Sequence, residues 1–313
     1  MSDGYDALRA GAAFLDLSDR GRIYVTGEDR ARLLHAMTTN HVQQLTPGTG
    51  LYAFFLNAQG RILGDVNLYC FDDRLLLDTE PETREYLYQH LDKFIIADDA
   101  TLDDATARTF AIALEGPGAT ALLTAIGAPI PEEPYAHAAW ESWTIARDSV
   151  TGADGFRFFG DAETKAELIS KLTSAGAVPA SAEQARAVRL EHFKPRYGED
   201  IHATTLPQET TLAKALHFKK GCYLGQEIVE RIRSRGHVNR VLVGLEIEGR
   251  QPVPAGTKLT SEGKEIGEVT SSAYSPALGK VVALAYARVQ AIEGRDSIEV
   301  NGANGAIRRL PRP

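Results

Sequence analysis

From Asn239 onward the chain runs in short β-like segments, Val241 to Ile247, Ile266 to Thr270, Val281 to Tyr286 and Ile298 to Val300, parted by Pro and Gly clusters. That pattern is the signature of a small β-barrel or sandwich and sets a domain boundary near Gly236 to Arg240. Gly256 to Lys264 is glycine-bounded and ends in Gly-Lys, but its spacing is wrong for a phosphate loop; it reads as a hairpin.

Upstream, strands and helices mix. Ile23 to Val25 reads as a strand, and Thr26 with Asp29 resembles a capping pair for a helix whose inner face is Leu33, Leu34 and Met37. Strands Leu51 to Leu56 and Ile62 to Tyr69 flank the turn Asn57 to Gly60. After a strand at Leu75 to Leu77 comes a helix begun by Thr79 and Pro81, with Tyr86, Leu87, His90, Leu91 and Phe94 on one face. A second unit of the same kind follows, with strand Phe110 to Leu114, helix Ala119 to Ile126, strands near Trp143 to Ala146 and Phe156 to Phe159, and helix Ala162 to Ala175 stopped by Gly176. Ser181 to Gln184 has capping-box spacing before another helix, which Phe193-Lys194-Pro195 ends. The expected class is α+β: two antiparallel-sheet and helix domains, 1–108 and 109–200, a connecting segment 201–238, and a C-terminal barrel, 239–313.

The chain has 313 residues, 43% hydrophobic and 24% charged, enough for several packed domains. Two cysteines, Cys70 and Cys222, make no disulfide framework or metal spacing, which suits a reducing, cytoplasmic compartment; no metal site is expected. No signal peptide or membrane span is visible, and a net charge of −8 argues against general nucleic-acid binding. G-x-G-x-x-G, Walker A, H-E-x-x-H and G-x-S-x-G motifs are lacking.

Two stretches carry chemistry. In Lys219-Lys220-Gly221-Cys222-Tyr223-Leu224-Gly225-Gln226-Glu227 a cysteine follows two lysines and precedes a helix expected from Gly225 to Arg235, a setting that favours thiolate over thiol. Between Lys214 and Arg240 seven Lys or Arg face two acids. A solvated helix face is the ordinary reading, but the cysteine motif points to an anionic partner, with Lys219, Arg231, Arg233 and Arg235 as candidates. In the strand Ile62 to Tyr69, alternation puts Leu63, Asp65, Asn67 and Tyr69 on one face. From pattern alone that face belongs in water. Covered by a second layer, its carboxylate would need a partner, for which a heterocycle with adjacent N–H donors is one candidate.

Four blocks resemble the glycine-cleavage T-protein family: Asp16 to Asp29 with Thr38-Thr39-Asn40; Tyr52, Asn57 and Gly60 to Asp65; Thr151-Gly-Ala-Asp-Gly-Phe156; and Val269 to Leu278 with Val282 to Tyr286. The resemblance implies three domains around a central cavity. Within it, K-G-C-Y-x-G-Q-E resembles the YgfZ-type folate-binding proteins, relatives of a mitochondrial iron–sulfur assembly factor. It implies tetrahydrofolate as cofactor, iron–sulfur client or assembly proteins as partners, and Lys220, Gly221, Cys222, Tyr223, Gly225, Gln226 and Glu227 as the motif, with Cys222 its essential thiol. Tyr52, Asn57, Asp65 and Asn67 are the candidate folate contacts. The T-protein family has a pterin-holding glutamate where this chain has Ala153 and paired aspartates where it has Gly64-Asp65, which counts against aminomethyl transfer. An accessory factor for iron–sulfur assembly is therefore the first expectation, with a tetrahydrofolate-dependent aminomethyltransferase or related demethylase as the alternative.

Overall fold

The computed structural model describes residues 3–310, apart from the side chains of Asp3 and Arg235. Its first sheet has the strand order Gly50–Leu56, Ile62–Cys70, Leu75–Thr79, Gly21–Thr26, Thr101–Asp104, all antiparallel. Leu33, Leu34 and Met37 of helix Arg30–Met37, and Leu87 and Leu91 of helix Arg84–Asp92, close one face over Val25, Phe55, Val66 and Leu68. Tyr86 and Phe94, expected on the inner face of the second helix, are exposed instead, because Leu87 and Leu91 already define its buried stripe. Nor does Thr26 cap the first helix. It ends a strand, and the Asp29 carboxylate accepts from Asp99 N at 2.9 Å.

The second sheet runs Val178–Pro179, Ala13–Asp16, Thr109–Glu115, Gly155–Asp161, Trp143–Ala146, His137–Trp140. Its second strand comes from the N-terminus, and only the pairing of that strand with Val178–Pro179 is parallel. Helices Ala119–Ala125 and Lys165–Ser174 cover its outer face around Phe156, Phe158 and Ile112. Helix Ala182–Glu191 starts on the full Ser181/Gln184 capping box and stops before Pro195.

The third unit is a closed six-stranded barrel in which Arg240–Ile247 pairs with both Lys280–Arg288 and Ala303–Arg309. Closure removes the sheet edges. The hairpin Lys258–Ser261 to Lys264–Ser275 turns at Glu262 and Gly263, both left-handed. A bulge at Thr270 frees that residue from the ladder, and Thr270 and Ser271 both donate to Asp200 Oδ1, at 2.6 and 2.5 Å. Asp200 also accepts from Arg189 Nη1 at 2.8 Å and Arg196 N at 3.0 Å, which staples the barrel to the segment after helix Ala182–Glu191.

The two sheets face each other across a further apolar cluster holding Tyr52, Phe54, Tyr69, Ala111 and Phe159. The polar face of Ile62–Cys70 is consequently not in water. The second sheet covers it, so Asp65 and Asn67 are buried and Tyr69 wholly so. Strict alternation also fails at one point. A bulge opposite Phe55 and Leu56 turns Leu63 toward the first core and Ile62 toward the layer between the sheets. Among the described residues no helix is long and apolar enough to cross a membrane.

Candidate functional site

A cavity of about 990 Å³ opens between the sheets, lined by Tyr52, Asp65, Asn67, Tyr135, Ala153 and Lys214 among others. Its floor is an ion network. Asp78, wholly buried, accepts from Arg20 Nε at 2.9 Å, from Asn67 Nδ2 at 2.9 Å, and from Arg157 across the sheet interface. Arg157 also bridges to Asp148 at 2.7 Å, and Tyr69 donates to Asp148 at 3.2 Å. Arg20 holds Glu80 as well, and Arg196 reaches Glu80 at 2.8 Å. These arginines keep Asp78 and Glu80 below the usual carboxylate range despite burial.

Asp65 is different. Its Oδ2 accepts from the Tyr52 hydroxyl at 2.7 Å, its Oδ1 has no partner among the described residues, and it makes no ion pair with them. Burial, reinforced by the charge of Glu80, raises its carboxyl to about 6. Near the Tyr52 ring stands Lys214, whose ammonium lies 5.1 Å from the ring centre and donates to the Tyr135 hydroxyl at 2.7 Å. Packing of the ammonium against the rings of Tyr52 and Tyr135 desolvates it and brings it down to about 8, although the residue as a whole is exposed. The cavity thus holds an acid and an amine on either side of neutrality, both in contact with Tyr52.

The block Thr151 to Phe156 wraps a second buried acid. Glu115 accepts from the Ser149 hydroxyl at 2.6 Å, Val150 N at 2.8 Å and the Thr151 hydroxyl at 2.5 Å. A side chain on Gly155 would collide with that carboxylate at 2.9 Å, so the motif's second glycine is a packing requirement. Ala153 faces the cavity from this loop, while Asp154 is held by Arg147 and Thr120.

Of the four candidate folate contacts, Tyr52, Asp65 and Asn67 meet in the cavity and Asn57 does not. The Asn57 carboxamide accepts from Gln59 N and Arg61 N, at 3.0 and 2.9 Å, and serves only its own turn. Sequence reasoning does not single out Arg157, Asp148, Asp78, Glu115 or Lys214. Arg157 carries a signal, being a charge set among Phe156, Phe158 and Phe159.

The cysteine motif lies outside the cavity. Helix Gln226–Arg235 begins after Gly225, so Cys222 precedes the helix cap by three residues and is exposed. Lys220 does not present its charge to the thiol. Its ammonium turns inward, donates to the carbonyls of His35 and Thr38 at the end of helix Arg30–Met37, and stacks 4.6 Å from the Tyr223 ring centre. Burial pushes this ammonium down, to about 7, against two carbonyls and a ring that favour its charge. Gln226 Oε1 accepts from Tyr223 N at 3.1 Å and caps the turn, while Glu227 is exposed. Gly225 is left-handed, and a side chain there would strike the Asn57 carbonyl at 2.5 Å. Of the basic residues, Lys219 and Arg231 are exposed, and Arg233 pairs with Glu230 and covers Phe218. The side chain of Arg235 lies outside the described residues. Among the described residues, no group of three or more His, Cys, Asp or Glu is placed to hold a metal ion.

Residues 1–220 match the family described as the GCVT N-terminal domain, and residues 240–313 match the glycine cleavage T-protein C-terminal barrel domain. The chain is 31% identical over 306 residues to an aminomethyltransferase of Rippkaea orientalis, covering 91% of this chain and 81% of that one. It is 32% identical over 298 residues to an aminomethyltransferase of Streptomyces avermitilis, covering 91% and 80%. The crystal structure of the glycine cleavage system aminomethyltransferase T from Bartonella henselae superposes with a TM-score of 0.88 at 25% identity, over 98% of this chain and 88% of that one. These matches bear out the fold and support the aminomethyltransferase alternative. They do not support the accessory-factor reading that the sequence puts first.

Proposed function

Because this chain belongs to the glycine-cleavage T-protein family, we propose that it binds a tetrahydrofolate-type cofactor in the central cavity and transfers a one-carbon unit there, as an aminomethyltransferase or related demethylase. The observation that carries this is Asp65, a cavity carboxylate with a buried oxygen lacking any partner among the described residues. An orphaned buried acceptor fits an N–H of a pterin-like ring. With alanine at position 153, the hold on such a ring falls to Asp65, oriented by Tyr52. Tetrahydrofolate, when bound, supplies the nitrogens that carry the one-carbon unit. Asp65, poised near neutrality, takes up or returns a proton beside it. Tyr69, Tyr135 and Phe159 belong to the apolar cluster between the sheets, and of these Tyr135 lines the cavity. The test is release of ammonia and formation of methylene-tetrahydrofolate by the purified protein given an aminomethyl donor, with Asp65→Asn as the comparison. Folate binding without turnover on aminomethyl or N-methyl donors would remove the enzyme reading.

The exposed Cys222 favours a second reading. A thiol on a loop fixed outside the cavity suits a YgfZ-type folate-binding accessory factor, working in the cytoplasm on iron–sulfur proteins, whose client meets the cysteine while folate occupies the cavity. One thiolate does not hold a cluster that takes four protein ligands, so contact would be shared with the client. In cells lacking the protein, this reading expects an iron–sulfur enzyme to be restored by the wild type and not by Cys222→Ala. Equal restoration by both would reject it.

A further inference from the structure

We propose that the cysteine loop, residues 217–224, is held by an acid-sensitive latch: His35, His41 and His217 are neutral while the loop is docked and release it on protonation. The inference concerns the loop's own docking and stands under either functional reading. The loop is tied to the end of helix Arg30–Met37. His217 N donates to the Thr39 carbonyl at 3.0 Å, Leu224 N to the Ala36 carbonyl at 3.1 Å, and the Lys220 ammonium to the carbonyls of His35 and Thr38. Three imidazoles meet at this junction. The His41 ring centre stands 4.6 Å from that of His35 and 5.0 Å from that of His217, edge-on to both.

The arrangement suits neutral rings. His35 is only 7% exposed, and Nδ1 of both His35 and His41 is buried without a partner among the described residues. His35 Nε2 faces the loop, where a side chain on Gly221 would meet it at 3.5 Å. His217 Nδ1 accepts from Lys219 N at 3.3 Å, a bond that a protonated ring, with both nitrogens as donors, cannot make. Among the described residues, the charges that act on His35 are those of Lys220, His41 and His217, and those that act most on His217 are of His41, Lys220 and Lys219. All are bases. A buried histidine that keeps its charge has an acid beside it; here each new imidazolium would meet an ammonium and two rings that can also gain charge.

Desolvation first and Lys220 second bring the docked His35 down to about 4, and desolvation followed by His41 and Lys220 lowers His217 as well. A released histidine titrates at about 6.5. Docking is therefore whole above that value and weakens as the pH falls from about 6.5 towards 4. Lys220, which burial brings to about 7, carries its charge through that window. His35 alone weakens docking by about 30-fold between about pH 7.5 and 5, and His217 adds to this. Cys222 then passes from a fixed loop to a mobile one, so acid sets how the thiol is presented.

The experiment is amide hydrogen exchange on the full chain at about pH 7.5 and 5, corrected for the intrinsic pH dependence of exchange. The amides of His217 and Leu224, which are bonded only while the loop is docked, report its release, and those of the barrel strand Arg240–Ile247 report global opening. In the wild type, protection of the loop amides is expected to fall by about 30-fold or more between the two pH values, with the barrel amides unchanged. In a His35→Gln, His217→Gln double variant the fall is expected to be less than about fivefold. Circular dichroism melting checks that this variant is folded. Should it not be, proton NMR of the wild-type imidazoles decides: His35 is expected to titrate at about 4, and titration at its ordinary value of about 6.5 overturns the latch. Constant loop protection in the wild type also overturns it. So do barrel amides that fall in step with the loop, or a double variant as acid-sensitive as the wild type, either of which would assign the effect to carboxylates elsewhere.

Discussion

The Tyr52 hydroxyl donates a 2.7 Å hydrogen bond to Oδ2 of Asp65, while Oδ1 of the same buried carboxylate is left without a partner among the described residues. Burial first, and Glu80 second, raise this carboxyl to about 6. A carboxyl whose folded pKa lies above its unfolded value of about 3.9 holds its proton more tightly in the native state. Its contribution to stability is whole below about pH 4 and is lost as the pH climbs through 6. Asp65→Asn cannot take up the charge. It is expected to exceed the wild type in stability by about 1–2 kcal/mol at pH 7.5, with the gap closing at pH 4.5, while folate binding is lost. Urea unfolding at the two pH values measures this, and a variant less stable at pH 7.5 would show that the Tyr52 bond outweighs the buried charge.

Arg157 joins the two sheets at the cavity floor, with Asp78 on one side and Asp148 on the other. Arg157→Met leaves Asp78 its bonds from Arg20 and Asn67, but Asp148 retains only Tyr69 among the hydrogen-bond partners just named. The expected loss is about 3–5 kcal/mol, since an uncompensated buried charge costs more than the pair contributed. Adding Asp148→Asn to this variant is expected to recover a good part of it. A double variant as unstable as the single one would place the effect in packing of the arginine stem instead.

The elements that can be read from the sequence are those whose signal is local. The Ser181 capping box, the hairpin at Gly256 to Lys264 and the strands around Phe54 and Phe158 follow from spacing and turn chemistry. Sequence alternation groups Asp65 with Asn67, but whether water or protein faces them depends on a sheet contributed by residues far away in the chain. The same holds for Lys220. Two lysines beside a cysteine look like a field around a thiol, yet one of them finds the carbonyls of a helix end from residues 35 and 38, a long-range partner that no local pattern announces. Lys214 sits within a basic segment of the sequence and belongs to the cavity instead.

Because the Lys220 ammonium serves the end of helix Arg30–Met37, Lys220→Met is expected to cost about 1–2 kcal/mol, mainly as two lost charge-assisted bonds. The methionine stem keeps its contact with the Tyr223 ring. Alkylation of Cys222 by iodoacetamide, measured under native conditions, is expected to change by less than about twofold, a difference worth under about 0.5 kcal/mol. A tenfold slowing would return Lys220 to the role of thiolate partner that its place in the sequence suggests.

Gly225 and Gly256 share a left-handed backbone, φ 83° and 82°, and differ in their surroundings. A β-carbon at Gly256 meets nothing within 4 Å, whereas one at Gly225 would lie 2.5 Å from the Asn57 carbonyl and 3.0 Å from Leu56 Cβ. Gly256→Ala is therefore expected to cost only the left-handed strain, about 1 kcal/mol. Gly225→Ala carries that strain and must also push the cysteine loop off the turn Asn57 to Gly60, for a further loss of about 1–3 kcal/mol. The added displacement is local, so limited proteolysis with trypsin is expected to open the chain at Lys219, Lys220 or Arg231 in the Gly225 variant and not in the Gly256 variant. Equal costs and equal proteolysis would mean that the loop moves freely over the hairpin. The K-G-C-Y-x-G spacing would then do no more than supply a flexible tether for Cys222, and the fixed presentation of the thiol on which the second functional reading depends would be gone.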